Sequence, residues 1–187
     1  MITETNDLLR CFGTGDPLYE RYHDEEWGLP VHGDAALYER MVLEGFQSGL
    51  SWLTILRKRE AFRVAFSGFD PVAVAEFGDD DVERLMSDAG IVRNRLKIAA
   101  AITNARAVVA LQQSGGSLDE VVWSHQPPRA ARPADWTAVP ASTEDSTALA
   151  KDLKSRGFVF VGPTTMYALM QACGLVDDHI VGCVAAQ

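Results

Sequence analysis

Apolar side chains recur every three or four residues along most of the chain, with glycine, proline or aspartate between the runs. That rhythm predicts a protein built of helices. Two of the runs meet at Leu43-Glu44-Gly45-Phe46-Gln47-Ser48-Gly49-Leu50-Ser51-Trp52. Asp34 is the expected N-cap of a helix from Ala35 to Phe46, with Leu37, Tyr38, Met41, Val42 and Gly45 on one face. Glu44 then lies at the edge of that face, where a carboxylate is partly desolvated. Gly49 ends the helix, Ser51 caps the next, and Trp52 takes its first position. Taken alone, these ten residues fit a plain helical hairpin with a boundary Glu and a core Trp better than they fit a recognition pocket.

The rest of the chain reads the same way. After a frayed start over residues 1–9, Asp16-Pro17 opens a helix that places Tyr19, Tyr22 and His23 on one side. The helix from Trp52 to Phe66 turns Ile55, Leu56, Phe62 and Phe66 inward and Arg57-Lys58-Arg59 outward. Short helices follow from Asp70-Pro71 to Phe77 and from Asp80 through Ser87. Ala89-Gly90-Ile91-Val92 makes a tight turn before a long helix from Arg93 to Gln113. Such a glycine turn, opening a helix that carries Arg93, Arg95 and Lys97, can hold a phosphate, although an ordinary helical hairpin has the same pattern. A short helix capped by Ser117 and Glu120 precedes a proline-rich link from Ser124 to Pro140. Helices from Ser142 to Arg156 and from Pro163 to Cys173 close the series, joined by the extended Phe158-Val159-Phe160-Val161-Gly162. The expectation is an all-α chain, one domain over residues 1–187 with two helical lobes.

Composition changes this picture in two respects. The net charge of -9 argues against a nucleic-acid partner, because phosphate binding rests on Lys and Arg releasing counterions. Its distribution argues less strongly: Arg57, Lys58, Arg59 and Arg63 form one basic group and Arg93, Arg95 and Lys97 another, on an otherwise acidic body. Neither a signal peptide nor a membrane-length apolar run is visible, which predicts a cytoplasmic protein with no membrane partner. Three widely separated cysteines are an odd count, which speaks for burial or metal binding rather than a disulfide framework.

His179 and Cys183, with three residues between them, fall side by side on a helical turn; Cys11 and His23 offer a second pair. Together they have the donor set of a closed Cys2His2 zinc site, which would be structural and would staple the two ends of the chain. Cys173, His32 and His125 have no such partners and read as structural.

Several motifs in one order resemble the type I DNA-3-methyladenine glycosylases. They are Asp16-Pro17-Leu18-Tyr19 with Tyr22-His23-Asp24 and Glu26-Trp27-Gly28; Leu43-Glu44-Gly45 with Gly49-Leu50-Ser51-Trp52; Asp88-Ala89-Gly90-Ile91; and Gln171-Ala172-Cys173-Gly174-Leu175-Val176 with Asp178-His179 and Gly182-Cys183. The resemblance implies a helix-hairpin-helix DNA glycosylase fold, a structural zinc ion on Cys11, His23, His179 and Cys183, and excision of 3-methyladenine from alkylated double-stranded DNA, with the free base as product. It also implies that the hairpin at Gly90, with Arg93, Arg95 and Lys97, faces the DNA backbone. The chain departs from the family pattern in two places: Phe12 stands where a Trp usually follows the first zinc cysteine, in a loop one residue shorter, and Val92 takes the place of a second hairpin glycine.

The chemistry suits these residues. 3-Methyladenine in DNA is cationic, so an aromatic box of Tyr19, Tyr22 and Trp52 would prefer it, each contact contributing about 0.5–2 kcal/mol. Glu44 would supply the counter-charge and assist catalysis. A monomer acting on one flipped base is expected. The rival readings are a catalytically inactive DNA- or nucleobase-binding module of the same fold, and a zinc hydrolase, which would need an open coordination position.

Overall fold

The computed structural model describes residues 9–185, and among these the chain forms nine α-helices and no strand. They are α1 (Pro17–Glu25), α2 (Asp34–Gln47), α3 (Trp52–Ala65), α4 (Pro71–Ala75), α5 (Asp79–Ser87), α6 (Arg95–Gln113), α7 (Leu118–Trp123), α8 (Glu144–Ser155) and α9 (Pro163–Ala172). All but Leu9 of the expected frayed start lies outside the described residues. No described helix is long and apolar enough to cross a membrane.

Helix α2 is the axis of the molecule, packing against α3, α4, α6, α7 and α9. Its inward stripe of Leu37, Tyr38, Met41, Val42 and Phe46 is buried, and the Tyr38 hydroxyl donates to the Ala101 carbonyl at 2.9 Å. A second, smaller apolar cluster gathers Tyr22, Trp27, Leu56 and Ala172, with Cys11, Phe12, Leu18, Tyr19 and Trp52 packed on it.

The predicted breaks hold. Asp16 accepts from the Leu18 and Tyr19 amides, Gly49 adopts φ +83, and the Ser51 hydroxyl accepts from the Thr54 amide ahead of Trp52. Two local readings need correction. Asp34 does not cap its own helix: it accepts from the Asp119 amide at 3.0 Å and the Gln112 side chain at 2.8 Å, so it ties the start of α7 and the end of α6 to α2. The long helix begins at Arg95, with Asn94 as its cap, which leaves Arg93 in the preceding turn.

Candidate functional site

Helices α1, α2, α3 and α9 converge on a cleft of about 300 Å³ lined by Tyr19, Tyr22, Glu44 and Trp52. Four residues from three separate runs of sequence thus meet in one place. Phe12, Trp27, Gln47, Trp136, Ala168 and Gln171 complete the lining, and sequence periodicity had singled out none of them. Phe12 supplies an aromatic wall from the shortened loop, its ring 4.9 Å from Tyr19 and 5.0 Å from Trp27. Trp136 comes from the proline-rich link, half exposed and 6.1 Å from Phe12. The Tyr22 and Trp52 rings lie 5.3 Å apart, and Tyr22 is 6.3 Å from Phe12.

Glu44 is 6% exposed and forms no ion pair within 4 Å among the described residues. Burial pushes its carboxyl up to about 8, opposed by the positive charge of Arg40 one turn earlier. Arg40 itself donates to Glu26 at 3.0 Å, lies 5.9 Å from the centre of the Tyr22 ring, and keeps its Nη1 buried without a partner. The Trp52 indole N–H is also buried with no acceptor. The cleft therefore offers an ionisable carboxyl, an unengaged donor and several π faces, a set that suits a flat, positively charged heteroaromatic group.

Behind the aromatic wall, Cys11, His23 and Cys183 bring their donor atoms within 4.8 Å of one another. His23 Nε2 lies 3.3 Å from Cys183 Sγ and accepts from the Cys11 amide at 3.3 Å. His179, the fourth expected ligand, stands outside that trio but against it, its ring centroid 5.3 Å from that of His23 and its Nε2 buried without a partner. Asp24 holds His23 Nδ1 at 2.8 Å and Asp177 holds His179 Nδ1 at 2.9 Å. Carboxylates on both Nδ1 atoms turn both Nε2 atoms inward, the outer-shell arrangement of histidine metal ligands. Without a cation, burial pushes the Cys11 thiol up to about 12 and holds the His179 imidazole low, so the neutral ring is favoured. The donor set and the orphaned Nε2 fit a divalent metal ion. Residues 178–180 are not helical, so His179 and Cys183 meet through an irregular turn rather than along one helix face. Gly28, at φ +81, is required beneath it: a Cβ there would stand 2.7 Å from His179 Cε1.

The expected phosphate clamp is arranged differently from its sequence reading. Gly90 is not in the left-handed region; a side chain is excluded because a Cβ would come within 2.9 Å of Asp88 and 3.0 Å of Ala61. Arg95 is paired with Glu83, and Lys97 donates to the Phe46 and Ser48 carbonyls, closing the end of α2. Arg93 is exposed in the turn. The other basic group is largely neutralised within the fold, with Arg57 on Asp16, Arg59 on Glu26 and Arg63 on Glu39 and Glu60, and with Lys58 on the Ala89 and Gly90 carbonyls. Cys173 is buried, His32 pairs with Asp119 and stacks on Trp123, and His125 pairs with Asp152, as structural residues do.

The family model for methyladenine glycosylases matches residues 12–186. The chain is 53% identical to the DNA-3-methyladenine glycosylase 1 of Escherichia coli (strain K12) over 180 residues, covering 94% of this chain and 96% of that one. Its backbone superposes on a crystal structure of 3-methyladenine DNA glycosylase I with a TM-score of 0.91 at 50% identity, covering 94% of this chain and 98% of the other. A variant of 3-methyladenine DNA glycosylase I in complex with 3-methyladenine gives a TM-score of 0.89 at 37% identity, covering 95% and 96%.

Proposed function

The chain belongs to the methyladenine glycosylase family, and we propose from that premise how its own residues carry the reaction. It is a DNA-3-methyladenine glycosylase, a DNA repair enzyme that acts on alkylated double-stranded DNA and releases 3-methyladenine. The observation that carries the assignment of roles is a buried carboxyl, Glu44, at the floor of a cleft walled by Tyr19, Tyr22, Trp52 and Phe12.

Flipping a damaged nucleotide costs a few kcal/mol, less where alkylation has weakened pairing. The aromatic walls repay this by stacking on the base, and more strongly on a cation than on neutral adenine. Glu44 is the counter-charge and the acceptor for the exocyclic amine, and the free Trp52 N–H is a donor to the base ring. When the N-glycosidic bond breaks, its electron pair goes to the cationic base, which leaves neutral. Water adds to the sugar cation and gives up a proton, leaving an abasic site. The base needs no protonation, so the enzyme's contribution is positioning and electrostatic support of the sugar cation, with Glu44 as the catalytic group.

This role sets a pH dependence. The methylated base in DNA stays positively charged across neutral pH, whereas Glu44 in the free enzyme gains charge only as pH rises through about 8. With subsaturating enzyme in excess over DNA, single-turnover release of 3-methyladenine is expected to climb as pH rises toward 8 and to level off at about 9. A flat profile would remove ionised Glu44 from the binding step.

Cys11, His23, His179 and Cys183 would hold a structural zinc ion. Four Cys and His donors would leave no open position, so such an ion would hold the fold rather than act as a Lewis acid in the reaction. Its place is behind the cleft: Cys11 is joined to Phe12 and His23 to Tyr22, so the site fixes two walls of the base pocket.

We place the DNA-facing hairpin of a helix-hairpin-helix fold between α8 and α9. Those helices pack along each other, Gly157 adopts φ +89, and Gly162 with Pro163 opens α9 with no side chain capping its amides. Uncapped amides at a helix start suit a phosphate. Arg93 remains the exposed cation of the Gly90 turn, while Arg95 and Lys97 are engaged within the protein.

A further inference from the structure

Trp136 reaches the base cleft from a part of the chain with no helical period to aim it, so its position is built by other means. Pro133 and Pro140 limit the backbone on either side, and Asp135 closes a single 3-10 turn over Trp136–Ala138 by accepting from the Thr137 amide at 2.8 Å. The link is also tied down. The Val181 amide donates to the Pro133 carbonyl at 3.0 Å, and Arg132 Nε donates to Asp177 at 2.9 Å. Both anchors lie on the segment that carries His179 and Cys183.

What these contacts fix is an indole in the cleft wall. Trp136 lines the same cleft as Tyr19, Tyr22, Glu44 and Trp52, with 47% of its surface exposed. The Phe12 and Trp27 rings stand 6.1 Å from it with their planes tilted by 58° and 56°, so both support the indole and neither stacks on its face. Trp27 is itself buried, which makes Trp136 the outer continuation of a wall whose inner part is closed to solvent. An uncovered indole face in a cleft with a buried carboxyl is a stacking surface for a flat base.

We propose that Trp136 is a base-binding residue: its indole covers the flipped 3-methyladenine from the proline-rich link and retains the free base once the glycosidic bond has broken. The inference rests on the glycosylase reading and deepens it. Indole offers the strongest π face to a cation and stacks on a neutral base as well, so one side chain serves the charged base in DNA and the neutral base after release. Because the contact is made before and after the bond breaks, it contributes binding rather than acceleration.

The test compares Trp136→Ala and Trp136→Phe with wild type. Affinity for free 3-methyladenine is measured by calorimetry, whose signal does not depend on the indole removed; single-turnover release from alkylated duplex is followed as enzyme concentration is raised, and folding is checked by thermal melting. Trp136→Ala is expected to bind the free base roughly fivefold or more weakly and to need a correspondingly higher enzyme concentration for half-maximal release, with the rate at saturation within about twofold of wild type. Trp136→Phe should recover most of the affinity, and both variants should melt within about 3 °C of wild type. Free-base affinity of Trp136→Ala within about twofold of wild type would overturn the inference. So would a Trp136→Phe variant that binds no better than Trp136→Ala, because an aromatic face is what holds the base, or a fall in melting temperature of roughly 10 °C in Trp136→Ala, which would make the ring a packing residue. A wild type that releases no 3-methyladenine would refute the enzymatic reading itself, an outcome distinct from these because it involves no variant.

Discussion

Replacing Glu44 by Gln is expected to reduce excision of 3-methyladenine about 10²- to 10³-fold while leaving the fold intact. The substitution keeps shape and hydrogen-bonding capacity and removes only the charge. Selectivity against undamaged adenine is expected to fall with it, because the aromatic walls remain and they alone discriminate weakly. The same variant should be more stable than wild type at alkaline pH. Glu44 carries a folded-state value near 8 against 4.5 for the free side chain, so between those limits the native state holds a proton that the unfolded chain has released. Stability of the wild type therefore falls as pH rises from about 4.5 to 8 and is constant above. Glu44→Gln lacks that slope and should gain on the order of 4 kcal/mol at pH 9, measured by urea unfolding across the range. A variant that excises normally would remove Glu44 from the reaction. A variant without the pH-dependent stability gain would show that the carboxyl is hydrated in the native cleft.

Loss of a metal ligand is the second large expectation. His23→Asn or Cys183→Ala should abolish the one equivalent of zinc expected in purified wild type, measured by elemental analysis, and lower the melting temperature by roughly 10 °C or more. Free 3-methyladenine should also bind less tightly, because Phe12 and Tyr22 are chain neighbours of two ligands. Cobalt-substituted protein gives an independent readout: thiolate-to-metal charge-transfer absorption should appear in wild type and weaken in Cys183→Ala. Melting temperatures that match wild type would reduce the cluster to buried polar packing.

What could be read from the sequence follows the range over which the physics acts. Helix starts at Asp16-Pro17 and Ser51-Trp52 were legible because caps are local, and the edge position of Glu44 was legible because 3.6-residue periodicity is local too. How far the basic groups are engaged within the protein was not legible because their partners are remote: Arg59 meets Glu26 across 33 positions, and Lys97 meets the end of α2 across about 50. Trp136 was invisible for a different reason. It stands in a proline-rich link with no period to betray which way it points, and only the packed molecule brings it to Phe12. Phe12 looked like a loss because a Trp was expected there, yet the structure places its ring in the wall of the cleft. His179 and Cys183 were paired for the wrong local reason, a helical turn, although the partnership with His23 and Cys11 is what the donor set suggested.

The cluster that joins His23 to Cys183 closes a loop of 160 residues, and beside it the Val184 amide bonds to the Leu9 carbonyl. Bringing such distant segments together costs more chain entropy than any local helix contact, so this closure belongs late in folding, after the helices around α2 have packed. Interactions absent from the transition state do not hasten folding; they slow its reversal. A clasp formed that late is expected to set how long a folded molecule lasts rather than how quickly it forms, so breaking the Cys11–His23–Cys183 cluster should leave the folding rate near its usual value and make the molecule come apart far sooner.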